Sequence, residues 1–461
     1  MQIKVKNLGI LRQAEFSLGD MTIICGGNNT GKTYATYALF GFLYYWKLMF
    51  SIDIEDAIIE RLLNDGIIHL NLDDYAQEIY KKIAKDSQNY TQVLPKIFDA
   101  PERRFKNTEF QVQLTSDANY LDREYQREFG SFNLNLLSLV KNKDSPELMV
   151  TLLSQKDKVR RIPDSYIKRT ISDSLIEIIL KQFFPNPFIV SAERTGTGVF
   201  RKELKFYRNR LQEEISQYED HRDLLDIFFK KSNNYPLPIQ KNVDFTQDLE
   251  TVSKKTSFVA ECYPDLLKDF ADIIAGDYTV TQNDELYYIP EGETLGLSID
   301  ESSSAVRSLL DIGFYLKHIA QPGDLLMIDE PELNLHPENQ RRVARLLARL
   351  VNLGIRVFVT THSDYLIKEL NTLIMLNQDK PHLKKIAEAE GYLAEELLSV
   401  EQIKVYVAER ALIKLDGDEE ETYCPTLTPA DINQELGIEV KSFDTAIATM
   451  NRIQEEIVWG E

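Results

Sequence analysis

Eight residues, Gly26-Gly27-Asn28-Asn29-Thr30-Gly31-Lys32-Thr33, constrain this chain more than any other feature of its sequence. They fit the pattern of a phosphate-binding glycine loop in full, and they stand where such a loop must stand. The apolar run 21–25 before them reads as a buried strand, and Ala35, Ala38, Leu39 and Leu43 after them recur at helical spacing. Glycines let the backbone curl until its N–H groups point at phosphate oxygens, beside the positive end of the helix dipole. Lys32 then reaches the β- and γ-phosphates, and the Thr33 hydroxyl is placed for Mg2+. An ordinary glycine-rich turn accounts for neither the full pattern nor its setting.

A second stretch supplies what the loop lacks. Leu325-Leu326-Met327-Ile328 is an apolar run that ends in Asp329-Glu330. It suits a central parallel strand, buried on both faces, whose C-terminal edge holds a ligand. Asp329 is then the support of the Mg2+ shell, and Glu330 the general base that polarises an attacking water. Thr360-Thr361-His362-Ser363 closes the next strand, 355–361. A lone histidine at a strand end is more often structural, but this spacing makes His362 a candidate contact to a γ-phosphate.

The remaining chain fills in around these motifs. Residues 2–5 and 14–18 read as short strands around a turn at Gly9. From about 51 to 184 helical patterns dominate, at 54–63, 75–84 and 166–184, broken by strand-like stretches at 110–114 and 148–153. That segment carries no catalytic motif. Residues 187–192 form a β-rich run into Ser191-Ala192-Glu193-Arg194, and a charged helix follows over about 201–231. Two strands lie within 278–299 around Pro290-Glu291-Gly292, then an apolar helix at 305–319 and a helix at 337–352. Pro337 and Gly354 punctuate the second helix. The tail adds a strand near 404–408, an acidic turn at 416–421 and a closing helix. That helix carries Phe443, Ile447, Met450, Ile453 and Ile457 on one stripe, which reads first as intramolecular packing and second as a docking face. The organisation expected is an α/β head in two parts, 1–48 and 186–375, with a mainly helical insertion at 49–185. Residues 376–461 form a small α+β extension for assembly or partner binding.

Composition sets limits on function. With 461 residues and 43% hydrophobic content the chain can bury a large core. Cys25, Cys262 and Cys424 are far apart and in no metal-ligand spacing, which suits a reducing compartment. No apolar run is long enough to span a bilayer and no secretory signal opens the chain, so a cytoplasmic protein without a membrane partner is expected. The net charge of −20 argues against a long nucleic-acid surface, because phosphate binding rests on Lys and Arg. A local patch stays open, and Arg201, Lys202, Lys205, Arg208 and Arg210 form the best cluster.

The motifs taken together, with Ser302-Ser303-Ser304, Asp329-Glu330-Pro331-Glu332 and Leu335-His336-Pro337, resemble the ATP-binding-cassette (ABC) heads of the SMC and RecF group. The nearest resemblance is to ATPases of the overcoming-lysogenization-defect family and relatives in bacterial anti-phage systems. It implies an ABC-type P-loop head with a mixed sheet, ATP and Mg2+ as cofactors, and a homo-oligomer whose ATP sites are completed between subunits. By that resemblance Ser303, with Ser304 beside it, caps the γ-phosphate held by another subunit, and Asn334 and His336 belong to a loop that crosses between subunits. Ser304 and Ala305 stand where such heads usually carry glycines, so plain helix capping is the alternative for the serines. For Asn334 and His336 the alternative is an ordinary role at a helix start. The glutamine with which such heads sense Mg2+ has no clear counterpart. Its place falls to the strand end 191–194, with Glu193 or Arg194 facing the nucleotide or joined in a structural ion pair.

Three functions fit such a head. ATP could close an oligomer that controls a separate effector, a nuclease or toxin, in anti-phage defence. The head could clamp DNA, as repair and chromosome-structure ATPases do, although the insertion shows no sustained heptads. The chain could itself be a nuclease of the resembled family. Fewer than 100 residues follow His362, however, and Asp416-Gly417-Asp418 runs into Glu419-Glu420-Glu421 like a solvated hairpin turn. A transporter cassette fits the long insertion poorly. The effector-controlling switch is the expectation.

Overall fold

In the computed structural model the chain opens with β1 (Gln2–Leu8) and β2 (Leu11–Ser17), which meet across Gly9. β3 (Met21–Cys25) is buried at every residue and feeds α1 (Lys32–Met49) through the glycine loop. Next come α2 (Asp56–Asp65), β4 (Ile67–Asn71), α3 (Leu72–Asp86), β5 (Glu109–Gln113), β6 (Tyr125–Ser131), β7 (Leu134–Lys141), β8 (Glu147–Leu152) and α4 (Asp164–Leu180). The chain continues through β9 (Pro187–Val190), α5 (Arg194–Val199), α6 (Leu237–Gln247) and α7 (Pro264–Ile274). β10 (Gly276–Val280), β11 (Leu286–Pro290) and β12 (Leu297–Ser298) make a small antiparallel sheet. α8 (Ser304–His318), β13 (Leu325–Asp329), α9 (Pro337–Asn352), β14 (Arg356–Thr361) and α10 (Asp364–Leu376) follow, then β15 (Ile403–Lys414), β16 (Glu421–Pro429) and α11 (Lys441–Trp459). The structure describes residues 1–114, 120–131, 134–153, 163–201, 235–281, 284–439 and 441–459, with 84, 86, 131, 134 and 441–448 described by backbone only.

These elements form two compact units. The larger comprises Val5–Gly41, Val93–Thr108 and Pro187–Glu461. Its centre is a six-stranded sheet in the order β16-β15-β3-β14-β13-β9. All neighbours from β15 to β9 run parallel, and β16 returns antiparallel as an edge. The apolar runs seen in the sequence are its inner strands, because a parallel strand covered on both faces has no polar side. One core joins Ile23, Leu326, Ile328, Val357, Val359, Ile403 and Val405 of the sheet to Leu309 and Leu316 of α8. Leu346, Leu347 and Leu350 of α9 and Leu370 and Leu373 of α10 belong to the same core. The mixed α/β class expected from the sequence is the one observed.

The smaller unit comprises Met1–Lys4, Phe42–Gln92 and Glu109–Asn186. It holds an antiparallel sheet, β4-β8-β7-β6, and an aromatic nucleus in which Phe42 lies 5.6, 5.4 and 5.3 Å from Tyr90, Phe110 and Phe184. Glu177 of α4 is buried there and paired with Lys47 at 2.9 Å and Arg127 at 2.7 Å.

Some expectations need correcting. β6, Tyr-Gln-Arg-Glu-Phe-Gly-Ser, shows no alternation, and β7 is an apolar run that reads equally well as helix, so the small unit carries more sheet than its sequence suggests. The segment around 278–299 makes three strands, not two. β15 pairs in parallel with β3 along its first five residues, so the sheet that carries the P-loop extends well beyond residue 375. The packing role of the closing stripe fails where its side chains are described: Met450, Ile453 and Ile457 are exposed on α11. Phe443 and Ile447, and most of the charged helix at 201–231, lie outside the described residues and side chains. Among the described residues no helix is long and apolar enough to cross a membrane.

Candidate active site

Strand register brings three chain segments into one row. Cys25 of β3 stands opposite Thr361 of β14, and Thr360 stands opposite Asp329 of β13. Gly26, His362 and Glu330 therefore leave the sheet side by side at its C-terminal edge, where sheets of this kind bind ligands.

The loop after β3 is held by what lies beneath it. Gly26 has φ of +140°, and a Cβ on it would lie 2.5 Å from the carbonyl oxygen of Ala408 in β15. Only glycine meets both demands. Asn28 and Asn29 are exposed at the loop's crest, and Thr30 Oγ1 donates to Gly27 O at 2.8 Å. Lys32 is buried, and its Nζ donates to Gly26 O at 2.9 Å and Gly27 O at 2.7 Å. Burial pushes the ammonium pKa down, while Glu330, Asp329 and Glu332 oppose that shift. The Lys32 ammonium therefore sits among three carboxylates, held to the loop by its carbonyls.

Thr33 Oγ1 donates to Asp329 Oδ2 at 3.3 Å, and Thr360 Oγ1 donates to Asp329 Oδ1. Asp329 is only 2% exposed, and burial pushes its carboxyl up to about 6 against the hydrogen bond from Thr360. Even with the Lys32 ammonium nearby, such a carboxylate is costly to keep charged. Among the described residues no three His, Cys, Asp or Glu side chains form a metal cage. Thr33 and Asp329 are an oxygen pair that fits Mg2+, which takes one or two protein ligands and fills its shell with water and phosphate.

Glu330 has a left-handed backbone, φ +55°, an uncommon state for a residue with a side chain. Its N–H donates to Thr360 O at 3.0 Å, and its carboxylate Oε1 lies 3.6 Å from His362 Nδ1. Glu332 fixes the histidine. Its Oε1 accepts from Thr361 Oγ1 and from the His362 N–H, both at 2.8 Å, and lies 3.4 Å from His362 Nδ1. The sequence reading gave Glu332 no role of its own. The available signal is a third acid two residues beyond the first pair, directly after Pro331.

Other expected residues sit differently. Ser303 and Ser304 are exposed at the start of α8, where Ser303 Oγ accepts from the Val306 N–H at 3.2 Å. His336 caps α9 by accepting from the Glu338 N–H at 3.3 Å, and Asn334 is exposed with φ of +60°. Glu193 Oε2 accepts from Tyr37 Oη at 3.2 Å, and its charge reaches Asp329. Arg194 is turned to backbone: it is 2% exposed and donates to main-chain carbonyls. Arg201 offers nothing to phosphate either, being buried against Thr246 O and Asp284. Lys202, Lys205, Arg208 and Arg210 lie outside the described residues. Asp416 stands in the turn between β15 and β16, 3.0 Å from Lys6 Nζ.

Residues 1–367 match the family described as AAA ATPase domain. The chain belongs to that family. This ATPase therefore carries its P-loop, its paired carboxylates and its strand-end histidine within the matched region. Solved structures similar to it include the SMC head domain from Thermotoga maritima, 10% identical over 94% of this chain and 98% of that one, with a TM-score of 0.29. Another is the SmcHead bound to the C-winged helix domain of ScpA, 12% identical over 94% and 98%, with a TM-score of 0.34. A third is the Smc head with an extended coiled coil bound to the C-terminal domain of ScpA, derived from Pyrococcus furiosus. It is 11% identical over 98% of each chain, with a TM-score of 0.30. Scores this low carry no argument, and the fold of the ATPase rests on its own sheet order. No curated protein matches the chain significantly.

Proposed function

We propose that this ATPase is a nucleotide-dependent oligomeric switch that controls a separate effector, a nuclease or toxin, in bacterial anti-phage defence. Lys32 and the backbone of Gly26-Gly27-Asn28-Asn29-Thr30-Gly31 hold the phosphates of ATP. Thr33 and Asp329 are the protein's ligands to Mg2+, whose charge, when bound, offsets the charge that builds on the transferring phosphoryl group. Glu330 orients and deprotonates the attacking water. His362, its ring and backbone held by Glu332, contacts the γ-phosphate. Ser303, with Ser304, closes the site from a second copy of the chain.

The observation that supports this reading is the contrast between one interlocked half-site and two helix starts whose polar groups face outward. Thr33, Asp329 and Thr360, and likewise Glu332, Thr361 and His362, hold one another within the chain. Ser303 is bonded to its own helix and remains exposed. In the proposed assembly ATP joins the two between chains, and it then favours the closed assembly over the open one.

The test uses the full chain purified with its genomic neighbours coexpressed. The expected result is a protein partner retained by the Glu330→Gln assembly in Mg·ATP and released by the wild type as ATP is consumed. Hydrolysis stimulated by duplex DNA, with no protein partner retained in either state, would count for a DNA clamp instead.

A further inference from the structure

Arg194 uses four of its five N–H donors, all on backbone carbonyls from three different elements. Nε donates to Ser308 O in α8 at 2.6 Å. Nη1 donates to Ser191 O at 3.0 Å, just past β9, and to Asp329 O at 2.8 Å, at the end of β13. Nη2 donates to Glu330 O at 2.7 Å. Carboxylate partners would have added their own desolvation cost to that of the buried guanidinium, and its direct partners are main-chain oxygens instead. Asp311, at hydrogen-bond distance from Thr246 Oγ1, supplies the leading opposite charge from α8. The residue is spent on holding backbone.

What it holds matters. The Glu330 backbone is in the left-handed region, and such a conformation persists only when its surroundings fix it. Thr360 O fixes its N–H and Arg194 fixes its carbonyl. The same guanidinium grips α8 at Ser308, five residues beyond Ser303. One side chain thus holds both the backbone of Glu330 and the helix that Ser303 opens.

We propose that Arg194 is a positioning residue that couples the general base Glu330 to the helix opened by Ser303. Closure of that helix on a neighbouring ATP then sets the carboxylate of its own chain in place. This rests on the roles given to Glu330 and Ser303 above. Lysine cannot reproduce the coupling, because one ammonium on a flexible stem cannot reach carbonyls spread over a guanidinium's plane.

The test is Arg194→Lys in the full chain, read by nucleotide affinity, kcat and the Hill coefficient for ATP. Affinity should stay within about threefold of the wild type. The kcat should fall about 100-fold, the size of loss that a misplaced catalytic group produces, and the cooperativity in ATP should vanish. A wild-type kcat, or a loss confined to affinity, would overturn the proposal. Should Arg194→Lys fail to fold, hydrogen exchange on the Ser303→Arg chain decides. Mg·ATP is expected to slow exchange in residues 304–312 together with 326–333, because the coupling lies within one chain. A response confined to 326–333 would overturn it. Hydrolysis by Ser303→Arg at the wild-type rate would sink the two-chain site and leave that exchange result standing.

Discussion

At the sheet edge, Lys32, Thr33, Asp329, Glu332 and His362 are joined to one another or to the strands that carry them. At the starts of α8 and α9, Ser303 and His336 bond only to the helices they cap. Both regions use small polar residues at element ends, where side chains commonly satisfy orphaned backbone groups. The first region goes further: Lys32, Asp329 and Glu332 are buried, and they hold the exposed Thr33 and His362 in place before any ligand arrives. Preorganisation of that kind is what phosphoryl-transfer sites require, since positioning and electrostatics supply nearly all of the catalysis. The second region stays solvated.

The largest effect should come from the locked half. Lys32→Ala removes the ammonium that the proposed site offers to phosphate, and ATP affinity measured by calorimetry should fall by about 100-fold or more. Retained affinity would show that the interlocked half does not hold the nucleotide. Glu330→Gln should separate binding from chemistry, lowering the hydrolysis rate about 1000-fold while ATP still binds. A fully active Glu330→Gln enzyme would refute the assignment of the base.

The smallest effect concerns the cost of that locking. The Asp329 carboxyl is raised by burial from its ordinary 3.8 to about 6. A carboxyl whose folded pKa is raised stabilises the fold fully below its unfolded value, and that contribution is lost as pH climbs through the folded value. The nucleotide-free chain should thus lose on the order of 3 kcal/mol from this group between about pH 4 and pH 6. Asp329→Asn should raise the Tm of the nucleotide-free protein more at pH 8 than at pH 4.5. Equal shifts at both values would remove the desolvation argument for a cation beside Asp329.

Much of the locked half was legible in the sequence because its signals are local. Gly26 through Thr33 declare a backbone shape, and Leu325 through Glu330 declare a buried strand with acids at its end. The parallel order β3-β14-β13 then needs only strand-end motifs to align them. What could not be read depends on contacts distant in sequence. Ala408 backs Gly26 from more than 380 residues away, and nothing in its own neighbourhood marks it. Arg194 looked like a residue for ligand or ion pair, since no local pattern distinguishes a guanidinium bound to carbonyls from one bound to phosphate. β6 and β7 escaped because pairing with each other, rather than alternation, makes them strands.

The division of the site between chains is open to one direct measurement, the mass of the Glu330→Gln protein by light scattering in saturating Mg·ATP. The expected result is an assembly of at least two chains that falls to a single chain when Ser303→Arg is added to the same protein. A single-chain mass with ATP bound, or an assembly indifferent to Ser303→Arg, would contradict it.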